Sequence, residues 1–149
     1  YGEEWNLLET VEGTYSISYK YRLLETPEKY ICIQKQYTYR TDTGNGHTQY
    51  YPDVFLAENG WRLSFDGLFG HNAADAAALV MEGIAQWCLE NSIPHEKLES
   101  LTSADFIDFY AMDGETLVFY TEPFMLSTND GNAYTIALAL EQFEPLMIE

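Results

Sequence analysis

Apolar and polar positions alternate from residue 14 to 22. Tyr15, Ile17, Tyr19 and Tyr21 fall on one face, and Ser16, Ser18, Lys20 and Arg22 on the other. A period of two predicts a β-strand with one wet face. Thr26-Pro27-Glu28-Lys29 then forms a turn, because Pro27 presets φ for a tight reversal. Residues 30–40 make a second strand with Ile31, Ile33, Tyr37 and Tyr39 in phase, so the pair predicts an antiparallel hairpin. Residues 1–13 are acidic and weakly patterned and predict a frayed lead-in. A loop of small and polar residues covers 41–46. A third strand spans 47–56, where Pro52 lacks a donor and belongs at an edge or a bulge. Glu58-Asn59-Gly60 reverses the chain, Asn-Gly being a strong hairpin signal, and residues 61–65 return as a short strand.

The period then lengthens. Ala77, Val80, Met81, Ile84 and Cys88 recur at helical spacing with Trp87 beside them, which predicts a helix over 72–90. Asn72 is the expected cap, and Asp75 suits the positive end of the dipole. Asn91 and Pro94 end the helix, and residues 95–101 add a helical turn. Residues 106–112 and 116–121 form a further hairpin around Asp113-Gly114. After a loop over 122–132 comes a strand over 133–140. Its Ile136 and Leu138 point one way, and its Ala133, Ala137 and Ala139 the other. That alanine face is expected to lie under the alanine-rich start of the helix. Residues 141–147 close the chain. With no repeat and no linker, residues 1–149 predict a single α+β domain, mainly antiparallel sheet built of hairpins against one long helix.

Composition changes the picture in one respect. Asp and Glu total 24 against 7 Lys and Arg, a net charge of −17. A field of that sign repels phosphate backbones and anionic headgroups, which argues against nucleic acid and membrane surfaces as partners. It speeds encounter with a basic protein or cationic ligand, and otherwise serves solubility. No run of 18 apolar residues exists to span a membrane. The chain begins at Tyr1 without Met or a signal-like segment, as would a mature or excised ectodomain, secreted or anchored through a segment it does not carry. Cys32 and Cys88 are too few for a disulfide framework. Buried free thiols are expected, with a single bridge the alternative.

In order, Tyr30-Ile-Cys-Ile33, Tyr37-Thr-Tyr39, Gly44-Asn-Gly-His47, residues 53–60 and Leu63-Ser-Phe-Asp-Gly-Leu-Phe69 resemble a bacterial cell-surface domain family of unknown function. The strand pair over 109–120 and the closing pattern from Tyr134 to Leu146 continue the resemblance. The family includes the extracellular part of the lysozyme-sensing anti-sigma-V factor and accompanies some wall-modifying enzymes. The resemblance covers about residues 14–147. It implies an extracytoplasmic, non-enzymatic module of Gram-positive type, with a basic protein such as lysozyme or a wall component as partner. It also points to the loop between the last strands as the recognition loop. There Pro123 and Phe124 match and Gly131 roughly matches, while a second proline and aromatic are missing.

No catalytic or metal motif competes with that reading. His47, His71 and His95 lack ligand spacing, although Asp42, Asp53 or Asp66 could join them. Asp42-Thr-Gly-Asn-Gly46 and Asn129-Asp-Gly-Asn132 lack the alternating oxygens and terminal Glu of a calcium loop. No nucleophile elbow or phosphate cradle occurs, so neither cofactor nor metal is expected. The candidate binding residues are Pro123, Phe124, Met125, Ser127, Asn129 and Asp130, because loops on a rigid scaffold carry recognition. The competing role for Phe124 and Met125 is core packing. His47, Tyr50 and Tyr51 are secondary candidates. Three functions follow: a binding or sensing domain, a structural module of a wall-modifying enzyme, and a hydrolase using His47 with Asp53.

Overall fold

A computed structural model describes residues 6–12, 15–41 and 46–148, with Asn6–Glu12, Tyr15, Thr41 and His47 as backbone only. Four strands form an antiparallel meander in the order β1 (Asn6–Glu12), β2 (Tyr15–Leu23), β3 (Tyr30–Thr41) and β4 (Gly46–Leu56). The expected lead-in therefore contains a strand: β1 pairs along β2, with an irregularity between Leu7 and Glu9. The edge of β2 that faces away from β3 supplies the backbone partners that this weakly patterned segment needs. Pro52 sits on β4 at the sheet edge, where its missing donor costs no ladder bond. Of the loop expected over 41–46, Thr41 ends β3 and Gly46 begins β4, and residues 42–45, like those before Asn6, lie outside the described residues.

The inward face of this sheet differs from expectation. Tyr30, Cys32, Gln34, Pro52 and Val54 are buried, whereas Ile31 is 41% exposed and Tyr19 38% exposed. The even-numbered positions face the core, and the tyrosine-bearing odd positions face outward. Both faces of β3 carry apolar residues, so alternation specifies a strand without saying which face is covered. Gln34, only 1% exposed, is satisfied there by Arg22, whose Nε donates to its Oε1 at 2.6 Å. On the outer face Asp53 pairs with Lys35 at 2.8 Å and Arg62 at 3.1 Å.

After β4 the chain turns through Gly60, at φ 74°, while Asn59 Oδ1 accepts the Trp61 N–H at 2.9 Å. The return is one bridge, Phe55 to Arg62, rather than a strand. It is short because a helix begins at once: α1 (Phe65–Phe69) is capped by Ser64 Oγ, which accepts from Gly67 N at 3.0 Å. A 3-10 turn over Gly70–Asn72 leads into α2 (Ala73–Glu90). Asn72 stands at the start of α2 but does not cap it through its side chain; its Nδ2 donates to Leu146 O at 3.1 Å and ties down the C-terminal segment.

A 3-10 turn at Leu98–Ser100 and a short α3 (Ala104–Ile107) precede the second sheet. That sheet is antiparallel, with β5 (Tyr110–Asp113), β6 (Thr116–Tyr120) and β7 (Thr135–Ala139) in order. Residues expected at the start of a strand over 106–112 thus belong to α3, and β5 holds only four residues. Leu117, Val118, Phe119 and Tyr120 of the central strand are all buried, so β6 is covered on both faces. The alanine face of β7 is turned outward: Ile136 and Leu138 are buried, Ala137 and Ala139 exposed. The close approach occurs at Gly83 of α2 instead, where an added Cβ would stand 2.7 Å from Leu138 Cδ1.

One apolar cluster joins both sheets and α2, with Phe69, Phe106, Phe119 and Phe143 fully buried. Cys32 and Cys88 are buried and free; burial pushes the Cys32 thiol up to about 11. The architecture is α+β: two small antiparallel sheets and a helical run over residues 65–90.

Candidate functional site

The loop between β6 and β7 is held from several sides. Glu96, on the segment after α2, accepts from Ser127 Oγ at 2.9 Å, Thr128 N at 3.0 Å and Thr128 Oγ1 at 3.3 Å. Lys97 N donates to Leu126 O at 2.9 Å, and Lys97 Nζ to Phe124 O at 2.8 Å. At the far end Asp130 accepts from Asn132 N and Nδ2 and from the Tyr134 hydroxyl. These donors favour the charged carboxylates: the Ser127 hydroxyl foremost holds Glu96 below its usual range, and the Tyr134 hydroxyl does so for Asp130. The same bond to Asp130 raises the Tyr134 phenol.

Phe124 stands out on this frame. Its φ is 64°, a left-handed conformation uncommon for any non-glycine residue and an outlier for a bulky one. Its side chain is 53% exposed and lies over Gly131, where an added Cβ would come within 2.8 Å of the ring. Core packing is thus excluded for Phe124; Met125 is half-buried, and Leu126 fills the core instead. Pro123 is half-buried and Asn129 exposed. Ser127 and Asp130, expected to meet a ligand, spend their polar atoms inside the loop and act as its supports.

Beside the loop a cleft of about 290 Å³ opens between the two sheets and α3. Tyr50 and Tyr51 of β4 line it with Met125 of the loop, which brings two secondary candidates next to the primary ones. Tyr50 lies 5.7 Å from the Tyr120 ring and Tyr51 6.5 Å from the Phe109 ring, centroid to centroid. Phe109, Tyr120, Asp105 and Glu122 complete the lining that matters chemically. None was singled out from the sequence, and neither were Glu96 and Lys97. Glu96, Lys97, Asp105 and Phe109 are brought in from segments earlier in the chain, so no local pattern marks them, while Tyr120 and Glu122 adjoin the loop itself. His47 lies six residues from Asp53 along β4, about 20 Å at the rise of a strand, and Asp53 is already paired with Lys35 and Arg62. The two do not form a hydrolytic pair. Among the described residues, no three of His, Cys, Asp and Glu converge to hold a metal ion, and no helix is long and apolar enough to cross a membrane.

Charge is unevenly divided between the halves. Residues 63–149 contain fifteen Asp or Glu and one basic residue, Lys97; residues 1–62 contain nine acidic and six basic residues. The halves carry −14 and −3 of the total −17. The loop and most of the cleft belong to the acidic half, whose one cation is engaged on the Phe124 carbonyl.

With this geometry in hand, two solved structures are informative. A DUF3298 family protein from Pseudomonas aeruginosa PAO1 superposes with a TM-score of 0.63 at 9% identity, covering 90% of this chain and 62% of that one. A DUF3298 member from Bacteroides fragilis gives a TM-score of 0.60 at 11% identity, covering 91% of this chain and 55% of that one. The chain shares the fold of these DUF3298 proteins. It spans 55–62% of their length. At this identity the likeness concerns the fold alone, and it lends no support to the Gram-positive setting implied by the resemblance. No protein-family model matches the chain, and no curated protein does.

Proposed function

We propose that this chain is a non-catalytic, extracytoplasmic recognition domain whose 122–132 loop and acidic half bind a basic protein, lysozyme being the partner its family resemblance suggests. The observation that carries the reading is Phe124: a large apolar side chain, half exposed, at positive φ on a cross-braced loop. Strained backbone persists where its surroundings over-determine it, and such sites cluster where ligands are clamped. An exposed aromatic on a pre-ordered loop binds without first losing conformational entropy. The surrounding acidic field supplies encounter rate and selects against acidic competitors.

Calorimetric titration of the chain with lysozyme at low and at physiological ionic strength tests this. The expected result is micromolar or tighter binding that weakens with salt but persists. No heat at micromolar protein would dismiss lysozyme and favour a structural accessory role or a cell-wall ligand.

A further inference from the structure

The cleft beside the loop combines aromatic walls with the carboxylates of Asp105 and Glu122, neither of which forms an ion pair among the described residues. Tyr51 and Phe109 meet edge to face at 61°, Tyr50 and Tyr120 are inclined at 38°, and all four rings line the cleft. Met125 adds a polarisable side chain from the recognition loop. Asp105 receives Thr102 N at 2.8 Å and Thr102 Oγ1 at 3.4 Å, both through Oδ2 alone. Among the described residues Glu122 forms no ion pair, and its charge joins burial in raising the Tyr51 phenol. The one basic group felt at Tyr120, Arg22, is held by Gln34 Oε1 and does not line the cleft.

Aromatic faces attract cations, and a guanidinium both stacks on rings and forks onto a carboxylate. At about 290 Å³ the cleft falls just below the ~300–1,000 Å³ typical of small-molecule sites, room for one long side chain. We infer that this cleft is a socket for an arginine side chain of the basic partner, its guanidinium held against the aromatic wall of Tyr51 and Phe109 and paired with Glu122. The inference rests on the proposed recognition of a basic protein and names the side chain received.

The test uses the full chain and small probes. Nα-acetyl-arginine methylamide and its neutral citrulline counterpart are titrated separately while two-dimensional amide spectra are recorded. Arginine should give saturable shifts concentrated at Tyr50, Tyr51, Phe109, Tyr120 and Glu122, at ~millimolar affinity. Citrulline should bind about fivefold more weakly or worse, and Glu122→Gln and Tyr51→Leu should each weaken arginine about fivefold. Glu122 is exposed, so its variant keeps the fold. Equal affinity for the two probes, shifts spread over α2 and the other acidic segments, or two variants that bind like the parent would overturn the socket. If lysozyme fails to bind while arginine still occupies the cleft, the choice of lysozyme is wrong and the socket stands. If lysozyme binds and arginine leaves the cleft untouched, the socket alone is wrong.

Discussion

At Phe124 a backbone at positive φ and the proposed recognition role meet in one residue. Holding a non-glycine residue at positive φ costs of order 1–3 kcal/mol, which glycine avoids in exchange for about 0.5–1 kcal/mol of extra chain entropy. The balance favours glycine by about 0–2.5 kcal/mol, and losing the ring's contact with Gly131 offsets part of it, so Phe124→Gly should leave the domain as stable as the parent, or up to about 1 kcal/mol more stable, in urea unfolding. Its affinity for a basic partner should nevertheless fall, since the exposed ring is gone. A loss of more than about 1 kcal/mol would mark Phe124 as a structural residue instead. The residues that brace it give a pH dependence. Glu96 and Asp130 have folded-state pKa values below their ordinary ones, so their contribution is present above the unfolded values, about 4.3 and 3.9, and is lost as pH falls through the lower folded values. The amide resonance of Thr128, bonded to Glu96, should hold steady from pH 8 to about pH 5 and move only in stronger acid. Movement between pH 8 and 6 would show that another group controls the loop.

Helix starts and close approaches decide how the elements sit together. Ser64 caps α1 through its side chain, so Ser64→Ala should cost about 1 kcal/mol in thermal or urea unfolding. Gly83 is where α2 meets β7. Gly83→Ala gains about 1 kcal/mol of helix propensity but must push Leu138 aside, so the two effects should nearly cancel. Gly83→Val fills the same space with two further methyls and should lose about 1–3 kcal/mol. A fully tolerated valine would mean that Leu138 does not bear on Gly83. These elements also show which parts of the fold could be read in advance. The β2–β3 hairpin, α2 and the reversal at Asp113-Gly114 follow from local periodicity and turn chemistry, which act within a few residues. The covered face of β3, with Cys32 and Gln34 inward and Ile31 outward, depends on what packs against it. The outward alanines of β7 likewise depend on α2 seating on Leu138.

Taken whole, the chain is electrically lopsided, and the 122–132 loop with most of the cleft belongs to the segment that carries −14. The loop itself was visible in the chain as Phe124 and Met125 followed by the polar run over 127–132. Its bracing by Glu96 and Lys97 was not, because bonds spanning 27 to 32 residues leave no periodic trace. Long-range attraction alone would bind any cation weakly and vanish with salt, whereas a built site retains affinity when the field is screened. The decisive measurement is therefore the ratio of lysozyme affinities of the parent chain and Phe124→Gly at physiological ionic strength. A loss of about tenfold or more on removing the ring, worth about 1.4 kcal/mol, is the predicted result. Equal affinities for the two chains, or no binding by either at micromolar protein, would contradict recognition of lysozyme by this loop.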